Sequence, residues 1–258
     1  MFIAWEGKAM YNFLTIAKYE WKMQIKNLGF WIILAVGLVT GGLDSFPTAA
    51  NMARLDGQIE NSGYIVSRLL LYPVVYMMFG FVFMAANRIR RDKKIGISEL
   101  HMTSPLTKGR YIAGKFAANL YVVLTVVVVF FAINALIQRI FNPAPFDALP
   151  YLIGFISVAV PMAVFTIGCS VSLPVLTDIR FVYVLMTGYF FLNVAIVPDS
   201  RAIPFYLLAG EPLKLINPYL GFGQKSGALM VYNWTFMLGI GLFAVLLLLC
   251  GKRYWRER

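Results

Sequence analysis

The sequence predicts an all-α integral membrane protein with six transmembrane helices, a preceding amphipathic helix at the membrane interface, and both termini on the cytoplasmic side. Three observations predict this fold class. The 258 residues are 60% hydrophobic with a mean hydropathy of +0.72, and only 14% are charged, against about 25% in soluble domains. Apolar runs close to the roughly 20 residues that cross a bilayer recur along the chain. Basic residues concentrate in alternate connections between these runs.

The first predicted element is an interfacial helix over residues 11–27, YNFLTIAKYEWKMQIKN. Lys18, Lys22 and Lys26 recur every four residues and form one stripe, which we expect to face lipid phosphates. The apolar residues fall on a different side and are expected to enter the acyl boundary: Phe13, Ile16, Ala17 and Trp21, a residue type typical of the interface. The alternative is a soluble flank that merely extends the first span.

Six apolar runs predict the transmembrane helices and leave no length for a soluble catalytic domain. They are residues 28–43, 69–86, 116–137, 151–173, 181–197 and 231–250. The chain, 1–258, is therefore predicted to be a single transmembrane domain. Gly29 is expected to permit the turn into the first span. Pro161 and Pro174 are expected to bend or end the fourth span, because each removes a backbone donor.

Two outer connections differ in character. Residues 44–67 have the composition of an ordinary solvated loop. Residues 198–230 contain four prolines yet remain apolar, and apolar segments too short to span are often re-entrant or interfacial. We expect a helical hairpin that dips into the outer leaflet, with a plain loop carrying a few buried anchors as the alternative.

The distribution of basic residues sets the predicted orientation. With the N-terminus inside, 17 of the 23 Lys and Arg residues face the cytoplasm, as the positive-inside rule requires. The excess positive charge then faces anionic lipids of the cell membrane, which we expect to be bacterial. No basic stretch interleaved with aromatic residues lies in a soluble segment, so we expect no nucleic-acid partner.

The motifs of several enzyme classes are missing. The chain has one histidine, His101, and therefore neither an HExxH motif nor a histidine-based zinc site. It has no GxSxG elbow and no GxxxxGK[ST] phosphate loop. No predicted span carries a carboxylate or lysine at its centre, where ion and proton carriers usually have one. We therefore expect no catalytic residue, no metal and no cofactor on this chain, and an energy source elsewhere.

The inner loop 88–115 is the most informative region. It has the highest charge density of the chain and contains the stretch GISELHMTSPLTKGRYIAGK. Ser104-Pro105 ends one local segment, and Thr107 can cap the next. Gly114 allows close approach at the membrane surface, where Lys115 is expected to reach phosphates or a partner. The pattern indicates one of two structures. The first is a rigid cytoplasmic segment that docks a partner protein, and the second is a basic loop that anchors the chain at the membrane surface without a partner.

This loop resembles a signature of ABC transporter permease subunits of the type-2 exporter class. In that family a Gly precedes Glu-Leu, a Thr/Ser-Pro-Leu/Ile-Ser/Thr-Lys/Arg run follows, and Gly-Lys opens the next span. The matching residues here are Gly96, Glu99-Leu100, Ser104-Pro105-Leu106-Thr107-Lys108 and Gly114-Lys115. The interfacial helix, the six spans and the apolar outer segment agree with the same family. The segment Asp92-Lys93-Lys94 departs from it, because family members often carry more glutamate there.

The resemblance implies a permease dimer, of identical or homologous subunits, that docks two ABC ATPase subunits carrying ATP and Mg²⁺. It implies coupling roles for residues of the loop, among which Glu99 is expected to be the main contact: Glu99, Leu100, Ser104, Pro105, Lys108, Gly114 and Lys115. The expected function is export of a substrate, such as an amphiphilic peptide or drug. The alternatives are an ATP-independent channel, sensor or immunity protein, and a membrane-embedded enzyme.

Overall fold

A computed structural model describes residues 15–54, 60–94, 107–142, 145–195 and 227–250, and these ranges contain helices and no strand. The order of elements begins with α1 (residues 15–25), α2 (Leu28–Ser45), α3 (Ala49–Arg54), α4 (Ser62–Leu71), α5 (Pro73–Ala86) and α6 (Arg88–Lys94). It continues with α7 (Lys108–Phe141), α8 (Leu149–Gly154), a π-helical segment (Phe155–Ala159), α9 (Val160–Leu176), α10 (Ile179–Ala195) and α11 (Gly227–Cys250).

Four helical stretches in the described part of the chain are long and apolar enough to cross a membrane: Leu28–Ser45, Ser62–Ala86, Gly109–Phe141 and Leu149–Leu176. They coincide with the first four predicted spans. The fifth and sixth predicted spans fall in α10 and α11, and their described residues are helical and contain the apolar stretches Ile179–Phe191 and Trp234–Cys250. The fold is therefore that expected of a multi-pass membrane protein.

The turn between α1 and α2 is built differently from the sequence expectation. The prediction assigned it to Gly29, but the chain turns at residues 26–27 and Gly29 is already helical. Asn27 is the N-cap of α2, and its side-chain oxygen accepts a hydrogen bond from the Gly29 amide at 3.0 Å. A capping side chain satisfies one of the amides that a helix start leaves unpaired. Asn27 therefore marks the start of α2.

The second span begins earlier than residues 69–86, and the prediction of an ordinary loop over 44–67 was wrong. α4 starts at Ser62 and buries most of its residues, and α5 follows after a break at Tyr72. Asp44, at the end of α2, accepts two hydrogen bonds from the Arg68 guanidinium, at 2.6 and 2.7 Å. Because of this ion pair, α4 can carry an arginine within the mostly apolar helical stretch Ser62–Ala86.

The fourth span is irregular, as its prolines predict. Val160 donates its amide to the carbonyl of Phe155, five residues earlier, which makes Phe155–Ala159 a π-helical segment. Pro161 follows in the first turn of α9, and Pro174 lies in its last turn. Proline cannot donate to the preceding turn, so the wider π turn occurs at the position where the regular α-helical ladder is interrupted.

The core lies between α4, α5, α7 and α9. Its largest fully buried side chains include Leu69, Phe81, Phe130, Met162 and Ile167. α9 packs most extensively against α11, and Gly168 faces Gly241 across this contact. A Cβ atom added at Gly241 would lie 2.6 Å from the Val164 carbonyl oxygen. Small residues let helix backbones approach this closely in membrane proteins.

Large apolar side chains cover the outer surface of the bundle. On α7 these include Tyr121, Val128 and Leu136, and on α11 Leu242 and Phe243, all more than a third exposed. A soluble monomer rarely exposes contiguous apolar surface of this extent. The surface is that expected of helices that face lipid.

Candidate functional site

Three separate elements bring ionisable side chains together at one end of the bundle. Glu20 comes from α1, Asp92 from α6, and Tyr111 and Lys115 from the first turns of α7. Lys115 immediately precedes the apolar run that begins at residue 116. We call Glu20, Asp92, Tyr111 and Lys115 the polar clamp, because they connect α1, α6 and α7.

Lys115 is the centre of the polar clamp. Its ammonium group forms ion pairs with Glu20 Oε1 and, at 2.6 Å, with Asp92 Oδ2. The Tyr111 hydroxyl donates to the same Asp92 oxygen at 2.6 Å. Lys115, Glu20 and Asp92 are 4%, 8% and 9% exposed. Buried charges are tolerated only when they are paired and hydrogen-bonded, so these contacts hold the three elements together.

Arg88 adds a second positive charge beside the polar clamp. Burial lowers the pKa of its guanidinium, and the neighbouring Glu20 and Asp92 carboxylates act in the opposite direction. Arg91 is a further cation beside Arg88, so the two carboxylates lie among three basic side chains. The carboxylates reduce the cost of keeping these cations at the edge of an apolar bundle.

A second pair of contacts repeats the first along the same two helices. Gln24 donates its side-chain amide to Asn119 Oδ1 at 2.9 Å, and Asn119 donates to the Lys115 carbonyl at 2.6 Å. Glu20 and Gln24 are four residues apart, as are Lys115 and Asn119, so each pair lies on one helix face. The matched spacing means that α1 and α7 run in the same general direction along this contact. Asn119 joins helices, as asparagines in spans commonly do.

The polar clamp lies at the base of the predicted coupling loop. Asp92 is two residues before α6 ends at Lys94, while α7 begins at Lys108 with Tyr111 and Lys115 in its first turns. The predicted coupling residues Glu99, Leu100, Ser104 and Pro105 lie in residues 95–106, outside the described part of the chain, and so does the Lys108 side chain. Gly114 lies on α7 and is buried.

Lys115 does not have the surroundings that the sequence suggested. It was expected to reach lipid phosphates or a partner, but its ammonium group is buried and paired within the chain. The physical reason is that α7 continues without interruption from Lys108 through Phe141, which places Lys115 inside the bundle and not on a surface loop. A buried lysine is stable only beside carboxylates, and Glu20 and Asp92 supply them.

Sequence reasoning missed Glu20, Gln24, Asp92 and Tyr111. A usable signal existed on α1, because Glu20 and Gln24 are one turn apart on the face opposite to the lysines. Glu20 and Gln24 therefore predict a second polar face on α1. A helix with two polar faces is expected to pack one of them against the rest of the protein. Asp92 carried no comparable signal, since its partners Tyr111 and Lys115 lie on α7, beyond residues 95–106.

The interfacial helix is observed over residues 15–25, with 11–14 outside the description. Lys18, Lys22 and Lys26 are exposed, as predicted. Trp21 does not point away from the protein. It packs against the core, with its ring centroid 5.8 Å from that of Tyr121.

The described residues contain no group of three His, Cys, Asp or Glu side chains that could hold a metal ion. The arrangement here pairs charges from three elements. Fold and site together define a multi-pass helical membrane protein with the buried polar clamp at one end of its bundle. Comparisons with family models, curated proteins and solved structures gave no match.

Proposed function

We propose that this chain is the permease subunit of a type-2 ABC exporter, which moves an amphiphilic substrate such as a peptide or drug out of the cytoplasm. Two kinds of observation support the proposal. The stretch from Gly96 to Lys115 resembles the family's loop signature, and the fold is that of a multi-pass helical membrane protein. In this proposal the chain has six spans with both ends inside and lies in a bacterial cell membrane.

The polar clamp carries the proposal. A subunit driven by a separate ATPase needs a rigid connection from its docking loop to its spans. Here Asp92 precedes residues 95–106 and Lys115 follows them, and an ion pair joins the two. Glu20 attaches α1 to the same lysine. A displacement of the loop therefore moves α6, α1 and α7 together.

The proposed sequence of events follows from this connection. Two ATPase subunits bind ATP and Mg²⁺ and close, and their closure displaces the loop through contacts at Glu99. The polar clamp passes the displacement to α7, whose 34 residues form a rod of about 50 Å at 1.5 Å per residue. A second permease subunit, identical or homologous, completes the pathway, which opens between the two subunits.

The test is assembly with an ATPase and its response to charge reversal. The tagged full chain is purified from its native membrane in mild detergent, and ATP hydrolysis by the complex is measured. We expect an ABC ATPase to co-purify, and Glu99→Lys to abolish substrate-stimulated hydrolysis while membrane insertion stays intact. Asp178→Lys is the matched control, because Asp178 is an exposed acid in the other predicted inner connection, and it should leave hydrolysis unchanged.

Two results would contradict the proposal. One is normal transport by Glu99→Lys. The other is ion conductance or substrate turnover by the purified chain alone, which would favour the channel or the membrane-embedded enzyme instead.

A further inference from the structure

A cavity of about 310 Å³ lies between the start of α4 and the start of α8. One wall follows the end of α7, over residues 145–153, and the other consists of residues 60–63. The polar clamp lies at the first turns of α7, so the cavity is at the opposite end of the bundle. None of its lining residues takes part in the polar clamp or in the predicted coupling loop.

The two walls of the cavity are joined to each other. At the rim, Ser62 Oγ accepts a hydrogen bond from the Asp147 amide at 3.2 Å. Deeper in the bundle, Gly154 of α8 lies against α4, and a Cβ atom added there would be 2.8 Å from side-chain atoms of Val66 and Leu70. The walls therefore meet closely below the cavity and are tied together at its edge, so its shape is set by the packing of the two helices.

The cavity carries negative charge that the described residues do not neutralise. Its ionisable lining residues are Glu60 and Asp147, and both are exposed. Neither forms an ion pair with any described residue, whereas Asp44 pairs with Arg54 and Arg68. Two carboxylates thus border one cavity without a basic side chain among its lining residues.

Apolar side chains form much of the remaining lining. On α8, Leu149 and Ile153 are one turn apart and therefore lie on the same side of the helix. Leu149 is 58% exposed, so hydrocarbon surface is accessible beside the carboxylates. Small-molecule sites combine such apolar lining with a few polar groups that fix orientation, and their volumes begin near this value.

We propose that this cavity binds an organic monocation, in which an ammonium group is attached to a compact apolar body. The ammonium group lies beside Glu60 and Asp147, and the apolar body contacts Leu149 and Ile153. Charge complementarity identifies the occupant, because a neutral or anionic molecule of the same shape would leave both carboxylates without a partner. The proposal does not depend on an ATPase or on transport, since the cavity lies entirely on this chain.

The test measures binding of a small spin-labelled amine to the full chain. The protein is reconstituted in phosphatidylcholine nanodiscs, which carry no net charge, and amino-TEMPO is added at neutral pH, where it is an ammonium ion. Electron paramagnetic resonance gives the immobilised fraction, after subtraction of the signal from empty nanodiscs. We expect amino-TEMPO to bind about fivefold or more tightly than hydroxy-TEMPO, its neutral analogue.

The variants locate the binding site. E60Q/D147N should remove the preference for amino-TEMPO, and asparagine can keep the hydrogen bond that Asp147 Oδ1 accepts from the Leu149 amide at 3.0 Å. E60Q alone, at an exposed position, should lower the preference by a smaller factor. The matched control is D178N, because Asp178 Oδ1 accepts from the Arg180 amide in the same way, at 2.8 Å, outside the cavity. It should bind amino-TEMPO like the wild type.

A competition experiment tests the apolar part of the site. Unlabelled cyclohexylammonium should displace amino-TEMPO, whereas ammonium chloride at the same ionic strength should not, because ammonium cannot contact Leu149 and Ile153. The proposal is overturned if the wild type binds both nitroxides equally, if E60Q/D147N keeps the preference, if D178N loses as much of it, or if ammonium competes as well as cyclohexylammonium.

Discussion

Trp234 donates its indole N–H to the carbonyl oxygen of Ser157 at 3.0 Å, across a separation of 77 residues. In a regular α-helix that oxygen would accept from the amide of residue 161, which is a proline and has no amide hydrogen. The indole therefore gives this oxygen a donor that residue 161 cannot supply. The same contact joins α11 to the π-helical segment that precedes α9.

The first prediction tests whether the Trp234 indole replaces the amide donor that is missing at Pro161. Trp234→Phe keeps an aromatic ring but removes the indole donor from the Ser157 oxygen, and we expect a loss of about 1–3 kcal/mol in unfolding free energy. In the Pro161→Ala background the new amide can take the oxygen, so the same substitution should cost less. Unfolding in mixed detergent, followed by circular dichroism, measures both. Equal losses in the two backgrounds would contradict this role for Trp234.

The second prediction concerns the centre of the polar clamp. Lys115→Met removes the cation and leaves Glu20 and Asp92 as buried carboxylates, so we expect a loss of about 3–5 kcal/mol in unfolding free energy. Adding Glu20→Gln should recover part of it, because one uncompensated charge then disappears. Thermal unfolding in detergent measures the series.

Lys22→Met is the matched control for this series. It makes the same chemical change on the exposed face of α1, where we expect a change within about 0.5 kcal/mol. Equal stability of the Lys115→Met and Lys22→Met proteins would show that the polar clamp contributes nothing.

The third prediction uses two glycines of α11. A Cβ atom at Gly241 would meet the backbone of α9, at Val164 and Phe165, whereas no atom of the described residues lies within 4 Å of one at Gly239. Gly241→Ala should therefore force the helices apart and cost about 1–3 kcal/mol. Gly239→Ala should be neutral or slightly stabilising, since alanine favours helix. The melting temperatures of the two variants measure the effect. A shift of the same sign and size in both would refute the close approach of α11 to α9 at Gly241.

The fourth prediction compares two arginines that share Asp44. Arg68 contacts both carboxylate oxygens and its side chain is 19% exposed, whereas Arg54 contacts one oxygen and is 49% exposed. Solvent weakens the outer pair, so Arg54→Met should cost at most about 1 kcal/mol. Arg68→Met leaves Asp44 half-buried with its weaker partner and should cost at least about 2 kcal/mol more. Denaturant unfolding of the two variants would give the reverse order if Arg54 were the main partner.

Hydropathy predicted the positions of the first four apolar helices because it is a local property. The first predicted span, residues 28–43, differs from α2 (Leu28–Ser45) by two residues at one end. The fourth, 151–173, lies within Leu149–Leu176. Apolar composition decides whether a segment can enter the bilayer, and it can be read without knowing any neighbour.

Helix ends were predicted less well where a polar residue continues the helix. α7 extends eight residues before its predicted start, through Arg110 and Lys115, and α4 carries Arg68 inside the second span. Hydropathy treats each such residue as a boundary. The structure keeps them helical because Asp44 pairs with Arg68, and Glu20 and Asp92 with Lys115.

The sequence by itself determined the membrane class, the helical fold of the spans, and the exposed lysine stripe of α1, because periodicity and composition are carried by neighbouring residues. Only the tertiary structure decided the partners of Lys115, the cavity between α4 and α8, and the donor for Ser157. These depend on contacts such as Glu20 with Lys115, 95 residues apart. The position of one helix face against another is set by packing, and packing is not encoded in any single segment.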